Sequence, residues 1–138
     1  MKMKMKEVKE LADLVAMQPR ERDAWFAERF GWIWVKCEDY KALAAPGSEY
    51  ICTLDEIEEL PIYDYSVHPY YSKSPNGNFA LKAEMVKLGY SYEIKCSDIG
   101  VSVMFCKNSH ELPDYDIVCE SEIEATWKAA ALALLRGE

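Results

Sequence analysis

The stretch GYSYEIKCSDIGVSVMFC, residues 89–106, decides the fold class. Tyr90, Tyr92, Ile94 and Cys96 alternate with Ser91, Glu93, Lys95 and Ser97, the period of a strand with one face covered. Asp98-Ile99-Gly100 is turn chemistry, and Val101, Val103 and Phe105 alternate with Ser102, Met104 and Cys106 in a hairpin partner. Upstream, Ser74-Pro75 reads as a cap and first turn, and Phe79, Ala83, Val86 and Tyr90 lie at helical spacing up to Gly89, which ends the helix. Downstream, residues 108–114 read as loop and 115–119 as a short edge strand. Ser121-x-x-Glu124 is a capping box opening a helix over 121–136. Between Ala125 and Leu135 only Thr126 and Lys128 are polar. A helix so apolar is central to the packing or a contact surface, and Trp127, Leu132 and Leu135 are expected in the core.

The first third completes the pattern. Val8, Leu11, Leu14 and Val15 predict a helix over 7–17, Pro19 opens a second over 19–30 and Gly31 closes it. Trp32 to Cys37 alternates as a strand. Ala45-Pro46-Gly47-Ser48 reads as a turn, and Tyr50 to Thr53 as the strand that pairs back. Two hairpins among helices that do not alternate with strands imply an α+β fold: a mainly antiparallel sheet of four to five strands with helices packed on it. At 138 residues the chain is read as a single domain spanning 1–138.

Charge is unevenly spread. Lys and Arg total 16 against 24 acids, a net of −8. Residues 1–10 carry four Lys against two Glu, which leaves −10 on the rest. Residues 38–64 hold eight acids and one base, Lys41, and residues 111–124 hold six acids and no base. Duplex DNA is bound by neutralising its phosphates, so such a body argues against direct nucleic-acid binding. The acidic runs read either as a solubilising face or as a surface for a basic partner. No stretch approaches the ~20 apolar residues of a membrane span, and Met1 to Lys6 lack the apolar run of a signal peptide. The five cysteines, Cys37, Cys52, Cys96, Cys106 and Cys119, show no paired spacing. They are read as buried, unreactive thiols in a reducing cytoplasm.

Short motifs carry a resemblance. Met17-x-Pro19, Arg22-Asp23-x-x-x-Ala27 and Gly31-Trp32, then Pro69-Tyr70-Tyr71-Ser72 before a helix, Gly89-Tyr90 entering a strand, and the run Ala129 to Leu135 together resemble the phage ABA sandwich domain family over residues 7–136. The resemblance implies an α/β/α sandwich and a phage or prophage origin, and it implies no reaction. The segment between the second strand and Pro69 is longer and more acidic than the family pattern.

Candidate sites follow from residue chemistry. His68 and His110 stand in no zinc-ligand spacing, and as a default are surface or loop residues. Asp114, Asp116, Glu120 and Glu122 could ligate a hard cation but lack nearby bases for phosphoryl transfer, and Ser74 to Asn78 before a helix approaches an anion cradle without its lysine. No catalytic residue, metal or cofactor is assigned. Residues 54–73 have no sustained period, and long aperiodic connections are usually functional. Asp55, Glu56, Glu58 and Glu59 together with Tyr63, Tyr65, Tyr70 and Tyr71 form the expected partner-binding element, since tyrosines give rigid contact area with a polar tip. Alternatively the rings cover core edges. The expected function is a small, acidic, non-catalytic phage or prophage accessory protein that binds a host protein with a basic surface, as an inhibitor of a host defence enzyme in the manner of an anti-CRISPR. The rival readings are a small-ligand or nucleotide binder and, behind it, a Cys- or carboxylate-dependent enzyme. A homo-oligomer through the last helix remains open.

Overall fold

A computed structural model describes residues 8–37, 40–47, 63–64, 68–107 and 118–137. In chain order these form helices α1 (Leu11–Ala16) and α2 (Pro19–Arg29), strands β1 (Ile33–Cys37), β2 (Tyr40–Ala44) and β3 (Tyr63–Asp64), helix α3 (Pro75–Lys87), strands β4 (Ser91–Ser97) and β5 (Gly100–Cys106), and helix α4 (Glu122–Gly137). The class is α+β.

The helix ends follow local chemistry. Pro19 and Pro75 occupy the first turns of α2 and α3, where a missing N–H costs nothing, and the Ser74 hydroxyl accepts from Gly77 N at 2.9 Å. Both helices close in the same way. Trp32 N donates to the Ala27 carbonyl at 3.0 Å across Gly31 at φ 95, and Tyr90 N to the Met85 carbonyl at 3.1 Å across Gly89 at φ 99. Helix α1 is shorter than the apolar spacing suggested. The Asp13 carboxylate accepts the backbone N–H groups of Lys9 and Glu10 at 2.9 and 3.1 Å, which fixes the helix start and holds that carboxyl below its ordinary pKa.

Among the described residues the expected sheet of four to five strands is corrected to two small ones: an antiparallel β1–β2 pair with the two-residue β3 parallel to β2, and a separate antiparallel β4–β5 hairpin. The partner of β1 is also corrected. Cys37 pairs with Tyr40, so the chain turns back after two residues rather than after Pro46-Gly47. Ala42, Leu43 and Ala44 are all buried, so β2 shows no alternation by which its period could be recognised. The expected strand 50–53 lies outside the described residues. Of the expected edge strand 115–119, Cys119 forms a single bridge with Val101, its N–H and carbonyl both 2.8 Å from their partners, while 115–117 lie outside the described residues.

Helix α2 packs on β2, and α4 packs on β5, α3 and α1. The core between them is Leu14, Trp25, Phe26, Tyr71, Leu81, Met85, Val103, Phe105, Trp127 and the Ala129–Ala131 stretch. Strand β4 buries no residue fully and forms the outer edge. In α4, Trp127 is buried as expected, but Leu132 and Leu135 are only half-buried and Leu134 takes the inward position. The expectation of uniformly buried thiols is corrected too: Cys119 is buried, Cys106 is half-buried and Cys96 is exposed on β4, whose residues mostly face solvent.

Candidate functional site

The structure places the three described tyrosines of the expected element, Tyr63, Tyr70 and Tyr71, in three different surroundings. Asp55, Glu56, Glu58, Glu59 and Tyr65 lie outside the described residues. Tyr63, in β3, is half-buried, packs edge-on against Trp34 at 5.0 Å between ring centroids, and receives the Lys41 ammonium 4.2 Å above its ring. Tyr71 is 1% exposed, edge-on to Phe26 and Phe30 at 6.3 and 5.5 Å. Its ring is part of the core, and burial first, then the charges of Glu84 and Asp23, push its phenol well above the ordinary range. Tyr70, one residue earlier, is 50% exposed, with the Arg20 guanidinium 3.7 Å from its ring centroid. Of the named tyrosines among the described residues, Tyr70 is the one presented to solvent.

What positions Tyr70 is a buried polar node that the sequence reading missed. Asp23 is fully buried. One of its carboxylate oxygens accepts from Ser72 N at 2.9 Å and from the Ser72 hydroxyl at 2.6 Å, and the other accepts from Arg20 Nη1 at 3.0 Å. Arg20 also donates to the carbonyls of His68, at 2.6 Å, and Pro69, at 3.1 Å. His68 lies in a loop, as one half of its default reading had it, but is buried: its Nε2 lies 2.9 Å from the Arg20 carbonyl and donates to it. The short run 68–72 is thereby fastened to α2 across 48–49 residues of sequence. A buried carboxylate so satisfied is a structural device, since burying it unpaired would cost several kcal/mol. The signal in the sequence was Arg20-x-x-Asp23 on one helix face, which looks like an ordinary i, i+3 surface pair.

Beyond Tyr70 the surface is apolar. Phe79, Ala83 and Val86, three of the four residues read at helical spacing, are exposed, Phe79 at 74% and Val86 at 51%, while Gly77, Asn78, Leu81 and Met85 point inward. A groove of about 690 Å³ runs along this side, lined by Trp32, Pro46, Pro69, Phe79, Ala83 and Leu88 among others. Among the described residues no group of three His, Cys, Asp or Glu side chains could hold a metal ion, and no helix is long and apolar enough to cross a membrane. The Cys119 thiol is pushed up by burial, which disfavours the thiolate a nucleophile needs.

An α+β chain with two hairpins, a tethered turn and an exposed apolar helix face is what the geometry defines. Comparison with protein-family models, with curated proteins and with solved structures finds no match for this chain.

Proposed function

We propose that this chain is a non-catalytic binding protein of phage or prophage origin that engages a host protein with a basic surface and inhibits a host defence enzyme acting on nucleic acid, as an anti-CRISPR does. The observation that carries the reading is one-sided charge: eight acids and one base over residues 38–64, within a chain of net charge −8. Such a surface mimics the charge of the nucleic acid its target binds, and complementary potentials raise the rate of encounter. An exposed aromatic surface among the described residues supports it. Tyr70 is held rigid by Arg20, and Phe79 offers apolar area nearby, the combination of aromatic anchor and restrained side chain that concentrates binding energy. In this reading Asp55, Glu56, Glu58 and Glu59 steer the partner while Tyr63, Tyr65 and Tyr70 make contact. Tyr71 supports the surface from below.

The test uses purified nucleic-acid enzymes of the presumed host, immobilised and probed with the intact protein over a salt series. Wild-type protein should bind one of them more weakly as salt rises. Reversing Asp55, Glu56, Glu58 and Glu59 to Lys should slow association at least tenfold, and Tyr70→Ala should speed dissociation. Unchanged association and dissociation in both variants would overturn the assignment of this surface.

A further inference from the structure

A second surface has the opposite charge. Between α1, α2, the turn at 72–73 and the start of α4 lies a hollow of about 390 Å³, lined by Val15, Arg22, Ser72, Lys73, Ser121, Ile123, Glu124, Trp127 and Lys128. Three of these side chains are cations and one is an anion, in a protein whose net charge is −8. Arg22 is only 6% exposed. Its guanidinium lies over the Trp127 ring at 4.0 Å, Nη1 makes one long bond of 3.5 Å to the Leu14 carbonyl, and the buried Nε has no hydrogen-bond partner.

A buried guanidinium normally meets a carboxylate, because an unpaired buried charge is expensive. Asp23, next in sequence, is unavailable: its oxygens are taken by Ser72 and Arg20. Lys73 is exposed and makes no ion pair among the described residues. Lys128 is bridged to Glu124 at 2.7 Å. The Glu124 carboxyl is held below its ordinary pKa, first by the hydrogen bond from Lys128 and further by the charges of Lys128, Lys73 and Arg22, so all three cations act on one point. The hollow also receives the first turn of α4. The Ser121 hydroxyl accepts from Glu124 N at 3.2 Å, and the first N–H groups of a 16-residue helix have no carbonyl within the helix to bond.

We propose that this hollow is a binding site for the phosphate group of a small phosphorylated ligand. Arg22 and Lys73 supply charge-assisted donors, the Ser121 end of α4 supplies the helix N-terminus, and Trp127, Val15 and Ile123 give the rest of the ligand an apolar wall. Phosphate is favoured over a carboxylate because its three free oxygens can meet donors from three directions, those of α2, the 72–73 turn and α4. Glu124 lines the hollow and repels an anion there, so its bridge to Lys128 opposes binding. The site shares no residue with the acidic surface proposed above, so either reading can fail without the other.

Calorimetric titration of the intact protein at fixed ionic strength, with chloride as the control anion, tests this. Inorganic phosphate probes the shared chemistry, and ribose 5-phosphate and adenosine 5′-monophosphate separate sugar from nucleotide sources. Phosphate should bind where chloride does not. Lys73→Gln, at an exposed position that leaves the fold alone, should weaken it about tenfold, the loss of one charge-assisted bond. Arg22→Gln should weaken it at least as much, and Glu124→Gln should tighten it. Heat from phosphate no greater than from chloride, or Lys73→Gln and Glu124→Gln variants that bind as wild type does, would overturn the proposal even if Arg22→Gln fails to fold.

Discussion

Helices α3 and α4 lie against each other and use their apolar residues in opposite ways. Helix α4 turns Ala125, Trp127, the Ala129–Ala131 stretch and Leu134 into the core. Helix α3 buries the less conspicuous of its two stripes, Gly77, Asn78, Leu81 and Met85, and leaves the apolar Phe79 and Val86 in solvent. The choice is made by what α3 is attached to. Its first turn abuts the Tyr70–Tyr71 backbone, which Asp23 and Arg20 fix to α2, and Asn78 Nδ2 donates to Glu122 at 3.1 Å at the start of α4. Spacing shows which residues share a face. Only the tether decides which face turns inward.

The largest expected effect tests that tether. Asp23→Ala leaves Arg20 and Ser72 without their buried acceptor and should cost about 3–5 kcal/mol in urea unfolding. Stability within about 1 kcal/mol of wild type would show that the run 68–72 is held by something other than this carboxylate. Next come the two inward stripes. Leu81→Ala and Leu134→Ala should each lose about 2–5 kcal/mol, with Leu81, fully buried, at the upper end, and the half-buried Leu132 should lose less than either. An equal loss at Leu132 and Leu134 would put α4 in a different register. On the outward stripe of α3, Phe79→Ser should change stability of the isolated protein by no more than about 0.5 kcal/mol. A large loss there would mean that Phe79 is covered, which a measured oligomer would explain.

The smallest effect is electrostatic. Glu124 has a lowered pKa in the folded chain, so its contribution is present above the ordinary carboxylate range, about 4.3, and is lost as pH falls through the folded value. Because this pair is partly exposed and spans one helical turn, Glu124→Gln should cost only about 0.3–0.5 kcal/mol at pH 7. The difference should vanish in acid, and a difference that grew as pH fell would have the wrong sign for the Lys128 bridge.

Much of the local structure was legible in the sequence. Residues 89–106 alternate cleanly and form the expected β4–β5 hairpin, and the Ser74 and Ser121 caps open α3 and α4 where their spacing placed them. What the sequence concealed was long-range. Strand β2 does not alternate because its consecutive residues Lys41 to Ala44 are all buried, so its spacing marks no element. The roles of Asp23 and His68 were hidden because their partners lie 48–49 residues away. The cation-lined hollow was illegible for the same reason: Arg22, Lys73 and Lys128 come from three distant segments, and each alone is an ordinary charge.

Gly77 states the tightness of this arrangement most directly. A Cβ there would fall 1.7 Å from the Tyr70 carbonyl oxygen and 2.8 Å from Tyr71 N, both backbone atoms that no rotamer change can move aside. The position therefore admits one letter of the alphabet. In a saturation library screened for folded protein, codon 77 should return glycine alone, while codon 79, two residues on, should return almost anything. Seen as a channel for information, the helix carries its most demanding instruction in the residue with no side chain.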